Sequence, residues 1–305
     1  MTRRALLIAD AGPRRGLGHI SRSSAVATAL AVRGFETRQL AYGTEAPVER
    51  DGLIWEPIDH AGGGDERWGV VVLDSYSLRA DELEVGDALM PLVVLQETTE
   101  ASPEARLVVN AGADPAEAGP RQLYGFAYAA LRPDFWGAPS ARPRELVEHV
   151  LVTTGAGDVG GAAATFAAAV RDALPGSRVT RVQGPFGAPE EVAGVEVART
   201  PDSLLELLLD ADLVVCAGGQ TMLEAAAVGA PCVTVAVAQN QAAQVERLAD
   251  LGAVRATSLA NIGEIAFELA ADAAARRELA RRAQTAIDSY GALRVAFAVA
   301  RLTSA

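Results

Sequence analysis

A histidine follows the first glycine-rich turn of the chain. The short apolar run at residues 5–9 leads to Gly16, Leu17 and Gly18, and His19 then opens a helix-period stretch. Two glycines allow the backbone to approach a ligand closely, and the N-terminus of a helix disfavours a charged imidazolium. We therefore predict that His19 is a neutral imidazole able to accept a proton, as a general base does. The alternative is a helix-capping or surface side chain.

A second glycine-rich turn lies between a strand-like run and a helix in the C-terminal half. Gly218 and Gly219 form this turn, and Gln220 and Thr221 open the helix. Free N–H groups, the absence of side chains at the glycines and the helix dipole together favour an anion such as a diphosphate. Glu224 lies one turn further on the same helix face, where a carboxylate can accept two hydrogen bonds from a ribose diol. The alternative is a tight turn followed by a solvated glutamate.

Three amide side chains follow the next strand-like run, at the start of another helix. They belong to Gln239, Asn240 and Gln241. Amides at this position can hold sugar hydroxyls beside the helix N-terminus. In the alternative interpretation, Asn240 only caps the helix that follows.

A third loop matches the G-x-G-x-x-G pattern, from Gly155 to Gly160, after a predicted strand. The dinucleotide fingerprint also needs an acidic residue about 20 positions later, at the end of the next strand. That strand ends instead in Val182 and Gln183, so we interpret the loop as the wall of a cleft. Neither a P-loop motif nor a G-x-S-x-G nucleophile elbow occurs in the chain.

The apolar pattern supplies the strands and helices that must position these turns. Apolar runs rich in β-branched residues are typical of parallel strands that helices cover on both faces. We predict strands at residues 5–9, 69–78, 91–96, 106–110, 149–154, 177–184, 195–200, 212–217 and 232–237. Helices are predicted before Gly34, at 164–174, 220–229 and 240–251, and within 262–304. A further helix is predicted after Thr200, with this residue as its N-cap and Pro201 at its first position.

The chain is long enough for two domains, and a proline-rich segment separates two such sets of elements. Pro133, Pro139 and Pro143 prevent regular structure across most of this segment. We predict an N-terminal Rossmann-like domain at 1–140 with the catalytic loop. A C-terminal Rossmann-like domain is predicted at 146–305, and its last helix could pack back on the first domain. Ligands bind beyond the C-terminal ends of strands in such sheets, so we expect both parallel sheets to face a cleft.

Composition excludes several classes of function. The chain has 27 Lys and Arg against 39 Asp and Glu, a net charge of −12, and no basic run, which argues against nucleic acid as a partner. Cys216 and Cys232 lie in apolar runs and no Cys or His pair has metal-ligand spacing, so we predict no metal and no cofactor. The first apolar run is too short for a signal peptide or a membrane span, which predicts a cytoplasmic protein without membrane insertion.

Taken in order, these motifs resemble one family over about 250 residues. It comprises the UDP-2,4-diacetamido-2,4,6-trideoxy-β-L-altropyranose hydrolases of pseudaminic acid synthesis and related spore-coat polysaccharide proteins. The matching residues are Gly16, Gly18, His19 and Arg22, then Asp74, Ser75 and Tyr76, the segment 124–135, Gly218, Gly219 and Glu224, and Asn240 and Gln241. Each motif alone is shared with other GT-B glycosyltransferases, including the enzyme that makes lipid II.

The resemblance implies a GT-B fold and a UDP-sugar substrate whose UDP is held mainly by the C-terminal domain at 146–305. It also implies no metal, and attack of water on the anomeric carbon with inversion. By position, His19 resembles the base that deprotonates the water, and Asp74 and Tyr76 would shape the sugar pocket beside it. Gly18 and Arg22 would contact the sugar or the phosphates, as would the amides of Asn240 and Gln241. The diphosphate turn of the family corresponds to Gly218, Gly219, Gln220 and Thr221, and its ribose carboxylate to Glu224.

Three positions depart from the family pattern. The Asp-His-Tyr motif of the family is Asp74, Ser75 and Tyr76 here, so an imidazole is missing from the sugar side. Where the family often has Gly-Gly-Ser/Thr-Asp, this chain has Gly-Ala-Gly-Asp at 155–158. The Arg that commonly precedes Asp10 by two residues is Ile8. The nucleotide half of the motif set is therefore more complete than the sugar half.

Three functions remain open at this point. The first is hydrolysis of a UDP-sugar with His19 as the base. The second is a GT-B glycosyltransferase in which His19 deprotonates an acceptor hydroxyl. A transferase with a lipid acceptor should expose an apolar or basic patch on the N-terminal domain, and the sequence indicates no such stretch. The third is a nucleotide-sugar-binding subunit without activity.

Overall fold

The chain folds into two compact α/β units. The computed structural model describes residues 3–13, 15–58, 67–79, 82–83, 90–98, 102–158, 161–187 and 189–303. Unit 1 comprises Met1–Pro133 and Tyr290–Ala305, and unit 2 comprises Asp134–Ser289. The boundaries read from the sequence are 1–140 and 146–305, so the two divisions differ at residues 134–140 and at the last helix.

Strands and helices alternate along most of the described chain. The strands are β1 (Arg3–Asp10), β2 (Phe35–Tyr42), β3 (Val48–Arg50), β4 (Leu53–Ile58), β5 (Val70–Asp74), β6 (Leu92–Leu95), β7 (Leu107–Asn110), β8 (Gln122–Tyr124), β9 (His149–Thr153), β10 (Arg178–Gln183), β11 (Glu196–Arg199), β12 (Leu213–Ala217), β13 (Cys232–Val235) and β14 (Arg255–Ala256). The helices are α1 (Gly18–Val32), α2 (Ala162–Ala173), α3 (Leu205–Asp210), α4 (Gln220–Val228), α5 (Ala242–Asp250), α6 (Ile262–Ala271), α7 (Ala273–Ala286) and α8 (Gly291–Leu302).

Unit 1 is built on one sheet with β1 near its middle. Among the described residues, its eight strands have the order β3-β4-β2-β1-β5-β6-β7-β8, and every neighbouring pair is parallel except β3 and β4. Ala9 of β1 lies beside Asp74 of β5 in this register. The C-terminal ends of β1 and β5 are therefore neighbours, at the edge where α/β sheets bind ligands.

Two helices of unit 1 pack against each other although they lie at opposite ends of the chain. Helix α8 contacts α1 and also the turn at Phe126–Tyr128. A Cβ atom at Gly291 would lie 2.1 Å from the carbonyl oxygen of Ala129, so the start of α8 approaches this backbone as closely as only glycine permits. Helix α1 ends as predicted, with Gly34 at a positive φ of 80° just beyond its C-cap.

Unit 2 repeats the arrangement with a smaller sheet. Its six described strands have the order β11-β10-β9-β12-β13-β14, and all neighbouring pairs are parallel. Phe166 and Val170 of α2 pack with Ile262 and Ala266 of α6 against this sheet. Both cysteines are free and buried within β12 and β13. The predicted fold class, two α/β domains with parallel sheets, is confirmed.

One predicted helix start is wrong. Helix α3 begins at Leu205, and Thr200 lies outside it with a positive φ of 39°. The hydroxyl of Ser203 instead accepts a hydrogen bond from the N–H group of Leu205 at 3.1 Å. Thr, Pro and Asp in succession also favour irregular structure, and residues 200–202 lie outside any helix or strand. In the described part of the chain, no helix combines the length and apolarity that crossing a membrane requires.

Candidate functional site

His19 and Asp74 form a buried pair at the C-terminal edge of the unit 1 sheet. His19 lies in the first turn of α1, and Asp74 is the last residue of β5. The imidazole Nδ1 and the Asp74 Oδ1 are 2.6 Å apart, and both side chains are buried. The glycine-rich turn between β1 and α1 brings the imidazole to this strand end, because Gly16 adopts a positive φ of 72°.

The short contact determines which nitrogen of His19 carries the proton. Asp74 is a carboxylate and only accepts hydrogen bonds, so Nδ1 must be the protonated nitrogen that donates to it. In the neutral ring Nε2 is then unprotonated and can accept a proton. A guanidinium nitrogen of Arg22 also lies 3.1 Å from Nδ1, but both atoms are donors in this tautomer, so it makes no hydrogen bond there. The pair has the arrangement of a general base with its orienting carboxylate.

Arg22 fixes the carboxylate of Asp74 from a second side. Its Nε donates to Oδ2 at 2.6 Å, and its Nη2 donates to Oδ1 at 2.5 Å. The hydroxyl of Ser23 donates to the same Oδ2 at 3.0 Å. Burial opposes ionisation of Asp74, but attraction by Arg22 and then by His19 holds the pKa of Asp74 at about 2. Asp74 is therefore ionised at neutral pH and cannot take the proton from the imidazole.

Glu97 closes this network at the end of the neighbouring strand β6. Its Oε1 accepts a hydrogen bond from Nη1 of Arg22, and its Oε2 accepts one from the Tyr76 hydroxyl at 2.5 Å. Burial disfavours the charge of Arg22, but Asp74 and Glu97 raise the pKa of Arg22 well above its usual value. Arg22 thus supplies a permanent positive charge between two carboxylates.

Tyr76 packs directly on the histidine. The two ring centroids are 4.7 Å apart with an interplanar angle of 88°, an edge-to-face contact. Tyr76 is held at both ends, because its hydroxyl bonds to Glu97 and its backbone N–H donates to Asp10 Oδ2 at 2.9 Å. The contact limits rotation of the imidazole, which keeps Nε2 in one direction.

Asp10 holds the segment that contains Ser75, one of the positions that differ from the pattern of the resembled hydrolases. Its buried carboxylate accepts hydrogen bonds from the hydroxyls of Ser75 at 2.5 Å and Ser77 at 3.0 Å. The Ser75 hydroxyl in turn accepts from the N–H groups of Ser77 and Leu78. Ser75, which stands where the hydrolases resembled by the motif set have histidine, therefore stabilises the turn after β5 rather than presenting a titratable group.

Gly18 lies in open space at the start of α1. It is the first residue of α1, and a Cβ atom there would meet no described atom within 4 Å. Packing within the described chain therefore does not demand glycine at this position. Its assignment to the sugar or phosphate stays a prediction.

The second turn lies at the C-terminal edge of the unit 2 sheet, between β12 and α4. A Cβ atom at Gly218 would lie 2.1 Å from Cγ2 of Val245, whereas one at Gly219 would meet only Nε2 of Gln241, at 3.8 Å. Within the described residues, no side chain caps α4 at its N-cap, Gly219. The first N–H groups of a helix lack intrahelical partners, so this end of α4 offers donors and a positive dipole end.

Two further predicted residues lie on the first turns of α4. Thr221 and Glu224 are 8% and 3% exposed, so Glu224 is not a solvated surface residue. Glu224 has interactions of its own within the chain. Its contact with a ribose therefore stays a prediction.

The amide of Gln241 lies against the glycine turn. Its Oε1 accepts a hydrogen bond from the N–H group of Val237 at 3.0 Å, and its Cβ lies near Gly218. Residues Gln239–Gln241 form a 3₁₀ turn, and Gln241 rather than Asn240 is the N-cap of α5. The interpretation of Asn240 as a helix cap is wrong, because the chain enters α5 one residue later.

The loop that matches G-x-G-x-x-G is described only in part, because Val159 and Gly160 lie outside the described residues. Asp158 accepts hydrogen bonds from the N–H group of Ala163 at 2.8 Å and from the Thr154 hydroxyl at 3.3 Å. Its carboxylate thus ties the end of β9 to the start of α2. This is a local structural role.

The structure assembles the predicted residues into two groups, one in each unit. His19, Arg22, Asp74 and Tyr76 belong to unit 1, and the 218–224 segment with Gln241 belongs to unit 2. Sequence reasoning missed Asp10, Ser23 and Glu97 as parts of the first group. The available signal was an acidic residue at or just after the ends of three apolar strands that neighbour one another, β1, β5 and β6. Among the described residues, no cluster of His, Cys, Asp and Glu could hold a metal ion.

Comparison with known proteins identifies the fold. The sequence matches no protein-family model and no curated protein sequence. CalG4, the calicheamicin glycosyltransferase, is similar in structure with a TM-score of 0.66 and 20% identity, over 100% of this chain and 99% of that chain. MurG of Acinetobacter baumannii gives 0.63 and 17% over 98% and 99% of the two chains. The Streptomyces glycosyltransferase SsfS6, complexed with thymidine diphosphate, gives 0.62 and 16% over 96% and 99%. The chain therefore has the GT-B fold of these glycosyltransferases.

Proposed function

We propose that this chain is a glycosyltransferase that transfers a sugar from a nucleoside-diphosphate sugar to an acceptor hydroxyl. The observation that carries the proposal is the buried pair of His19 and Asp74, in which Nδ1 is tied to a carboxylate at 2.6 Å. This arrangement leaves Nε2 as a proton acceptor at the strand edge where α/β folds bind ligands. The full-length similarity to glycosyltransferases supports transfer over the other functions considered.

In the proposed reaction, Nε2 of His19 takes the proton of the acceptor hydroxyl as its oxygen attacks the anomeric carbon. A new C–O bond forms while the bond from the anomeric carbon to the diphosphate breaks, and the configuration inverts. Asp74 stabilises the positive charge that the imidazole gains, and it stays ionised because its pKa is about 2. Positioned base catalysis of this kind contributes about 10²–10⁴ in rate.

The donor is assigned to unit 2. The N-terminus of α4 offers N–H donors and a positive dipole end, which suit a diphosphate that gains negative charge as it leaves. Gly219 leaves this approach open because it has no side chain, and the amide of Gln241 lies beside it. We assign Gln220 and Thr221 to the phosphates, Glu224 to the ribose, and Asn240 and Gly18 to the sugar or the phosphates.

Hydrolysis of a UDP-(2,4-diacetamido-trideoxy)hexose is the second candidate. The motif set of His19, Asp74 and Tyr76 with the 124–135 segment favours it, because that set resembles hydrolases of pseudaminic acid synthesis. Water then takes the place of the acceptor hydroxyl, and the same Nε2 removes its proton. Ser75 argues against the same sugar as in those hydrolases, because a serine that donates a hydrogen bond to Asp10 stands in place of their histidine.

A panel of UDP- and TDP-sugars, each incubated with and without alcohol and sugar acceptors, separates these functions. Acceptor-dependent release of the nucleoside diphosphate is the expected result. Release at the same rate without acceptor would show that the chain hydrolyses the donor instead of transferring its sugar. Binding of a donor without release under either condition would leave a binding subunit, and the proposed activity would be wrong. The cytoplasmic location and the absence of a nucleic-acid partner stay predictions.

A further inference from the structure

Along one face of helix α8, aromatic and arginine side chains alternate in a stripe. Arg301 is exposed, whereas Arg294 is half-buried and donates a hydrogen bond to the carbonyl of Ala127 at 2.9 Å. Tyr290, Arg294, Phe297 and Arg301 follow one another at spacings of three or four residues, so they lie on one face of the helix. The opposite face is buried against unit 1 through Ala292, Val295, Ala296 and Val299. Tyr290 is 41% exposed and Phe297 is 49% exposed, which is unusual for aromatic side chains of this size.

The stripe borders an open groove of about 500 Å³ within unit 1. Besides the stripe, Arg33, Leu123 and Tyr128 line it. The guanidinium of Arg33 lies 4.8 Å from the ring centroid of Phe297, so basic and aromatic groups are interleaved across two helices. Val32, beside Arg33 at the end of α1, is 70% exposed.

The charge of this surface is opposite to that of the whole chain. No acidic residue occurs in α1, in the segment 118–133 or in 289–303, although the chain carries 39 Asp and Glu and a net charge of −12. Glu36, close to Arg33 in sequence, is paired with Arg4 at 3.6 Å. The sequence indicated no apolar or basic stretch on the N-terminal domain, and the stripe lies outside the bounds of 1–140 predicted for that domain. The groove beside it joins residues from three separate segments, none of which is a basic or apolar run.

We propose that unit 1 binds an anionic lipid surface through this stripe, which we call the α8 stripe (Tyr290, Arg294, Phe297 and Arg301). Arginines near such a surface each gain from its negative potential, and aromatic side chains favour the level of the headgroups.

A second copy of the chain fits the α8 stripe less well. In a two-fold dimer the same patch meets itself, which would bring the arginines of one stripe against those of the other. No acidic residue lies on the stripe to compensate this repulsion. The charge pattern therefore selects an anionic surface over self-association.

Vesicle co-sedimentation tests the proposal with the full chain. The wild type should bind phosphatidylcholine vesicles that contain phosphatidylglycerol, and it should bind pure phosphatidylcholine vesicles far less. The double variant Phe297→Ser with Arg301→Ser should bind the anionic vesicles about tenfold or more weakly. The matched control is Phe267→Ser with Arg255→Ser in unit 2, where the phenylalanine is 58% exposed and Arg255 pairs with Glu268. This control should bind as the wild type does.

Two substitutions at Arg301 control for a loss of vesicle binding that misfolding would cause. Arg301→Lys should keep most of the binding, and Arg301→Ser should lose part of it, with unchanged melting temperatures for both. Equal binding to both kinds of vesicle, or equal losses in the α8-stripe and control variants, would overturn the proposal. Sedimentation velocity would also overturn it if the wild type were a dimer and the α8-stripe variant a monomer. The stripe would then bind a second copy of the chain.

Discussion

At the scale of single residues, the arrangement around Asp74 assigns the roles within the site. One carboxylate accepts hydrogen bonds from His19, Arg22 and Ser23. Arg22 offsets the negative charge, so Asp74 stays ionised in a buried position where an isolated carboxylate would be costly. The same pairing fixes the proton of His19 on Nδ1 and leaves Nε2 as the base. Sequence spacing alone did not reveal this coupling.

Replacing Asp74 by asparagine should remove the base without removing the ring. An asparagine amide can donate to Nδ1, which would move the imidazole proton to Nε2 and block proton uptake. We expect kcat to fall by about 10²–10⁴ while donor affinity, measured by calorimetry, is unchanged. Asp250→Asn, at an exposed position in α5, is the control. Wild-type kcat in Asp74→Asn would show that the tautomer does not matter for turnover.

At the scale of elements, the strands whose ends carry the site could be predicted from the sequence. Strand β2 and the roles of Asp10 and Glu97 could not. The buried runs of β1, β5 and β12 are strongly apolar, and their ends bring the glycine turns and Asp74 to the sheet edge. Strand β2 was missed because FETRQLAY mixes polar and apolar residues, and its strand state comes from pairing with β1. Asp10 and Glu97 were missed because only the strand order β1-β5-β6 brings their chain segments together.

The two glycines before α4 should respond differently to alanine. Gly218→Ala places a methyl group 2.1 Å from Val245 Cγ2, which should lower the free energy of unfolding by about 1–3 kcal/mol through overpacking. Gly219→Ala meets only Gln241 Nε2, at 3.8 Å, so its stability should be close to wild type. It should nevertheless weaken donor binding, because the methyl group would occupy the approach to the helix N-terminus.

Urea unfolding and calorimetry with the donor distinguish the two effects. Adding Val245→Ala to Gly218→Ala should recover part of the lost stability, since it removes the clashing atom. Unchanged donor affinity in Gly219→Ala would take the α4 N-terminus out of the donor site.

At the scale of the whole molecule, the proposed reaction divides its work between two units. Unit 1 contributes the base and its network, and unit 2 contributes the helix N-terminus for the diphosphate. The net charge of −12 does not prevent anion binding, because N–H groups and single arginines create positive potential locally. Unit 2 also contains charged groups at the opposite end of its sheet. His149, the first residue of β9, is buried beside Asp210 and Thr180 there.

His149 should make stability depend on pH. Burial, followed by repulsion from Arg178, lowers the pKa of His149, although Asp210 acts in the opposite direction. Below about pH 6.5 the unfolded chain therefore binds a proton that the folded chain does not. The free energy of unfolding should fall as the pH falls from this value through the lower pKa of the folded state. Urea unfolding at pH 7 and pH 5 should show a smaller change in His149→Gln than in the wild type, and an equal change in both would contradict the assignment.

The most direct test of the central claim is the turnover of His19→Ala with the donor and acceptor that the panel identifies. We predict that kcat falls by about 10²–10⁴, because the base is lost, while calorimetry gives an unchanged affinity for the nucleoside diphosphate. His149→Gln, which removes the buried histidine of unit 2, should keep wild-type turnover. If His19→Ala turned over at the wild-type rate, His19 would not be the base and the proposed mechanism would be wrong.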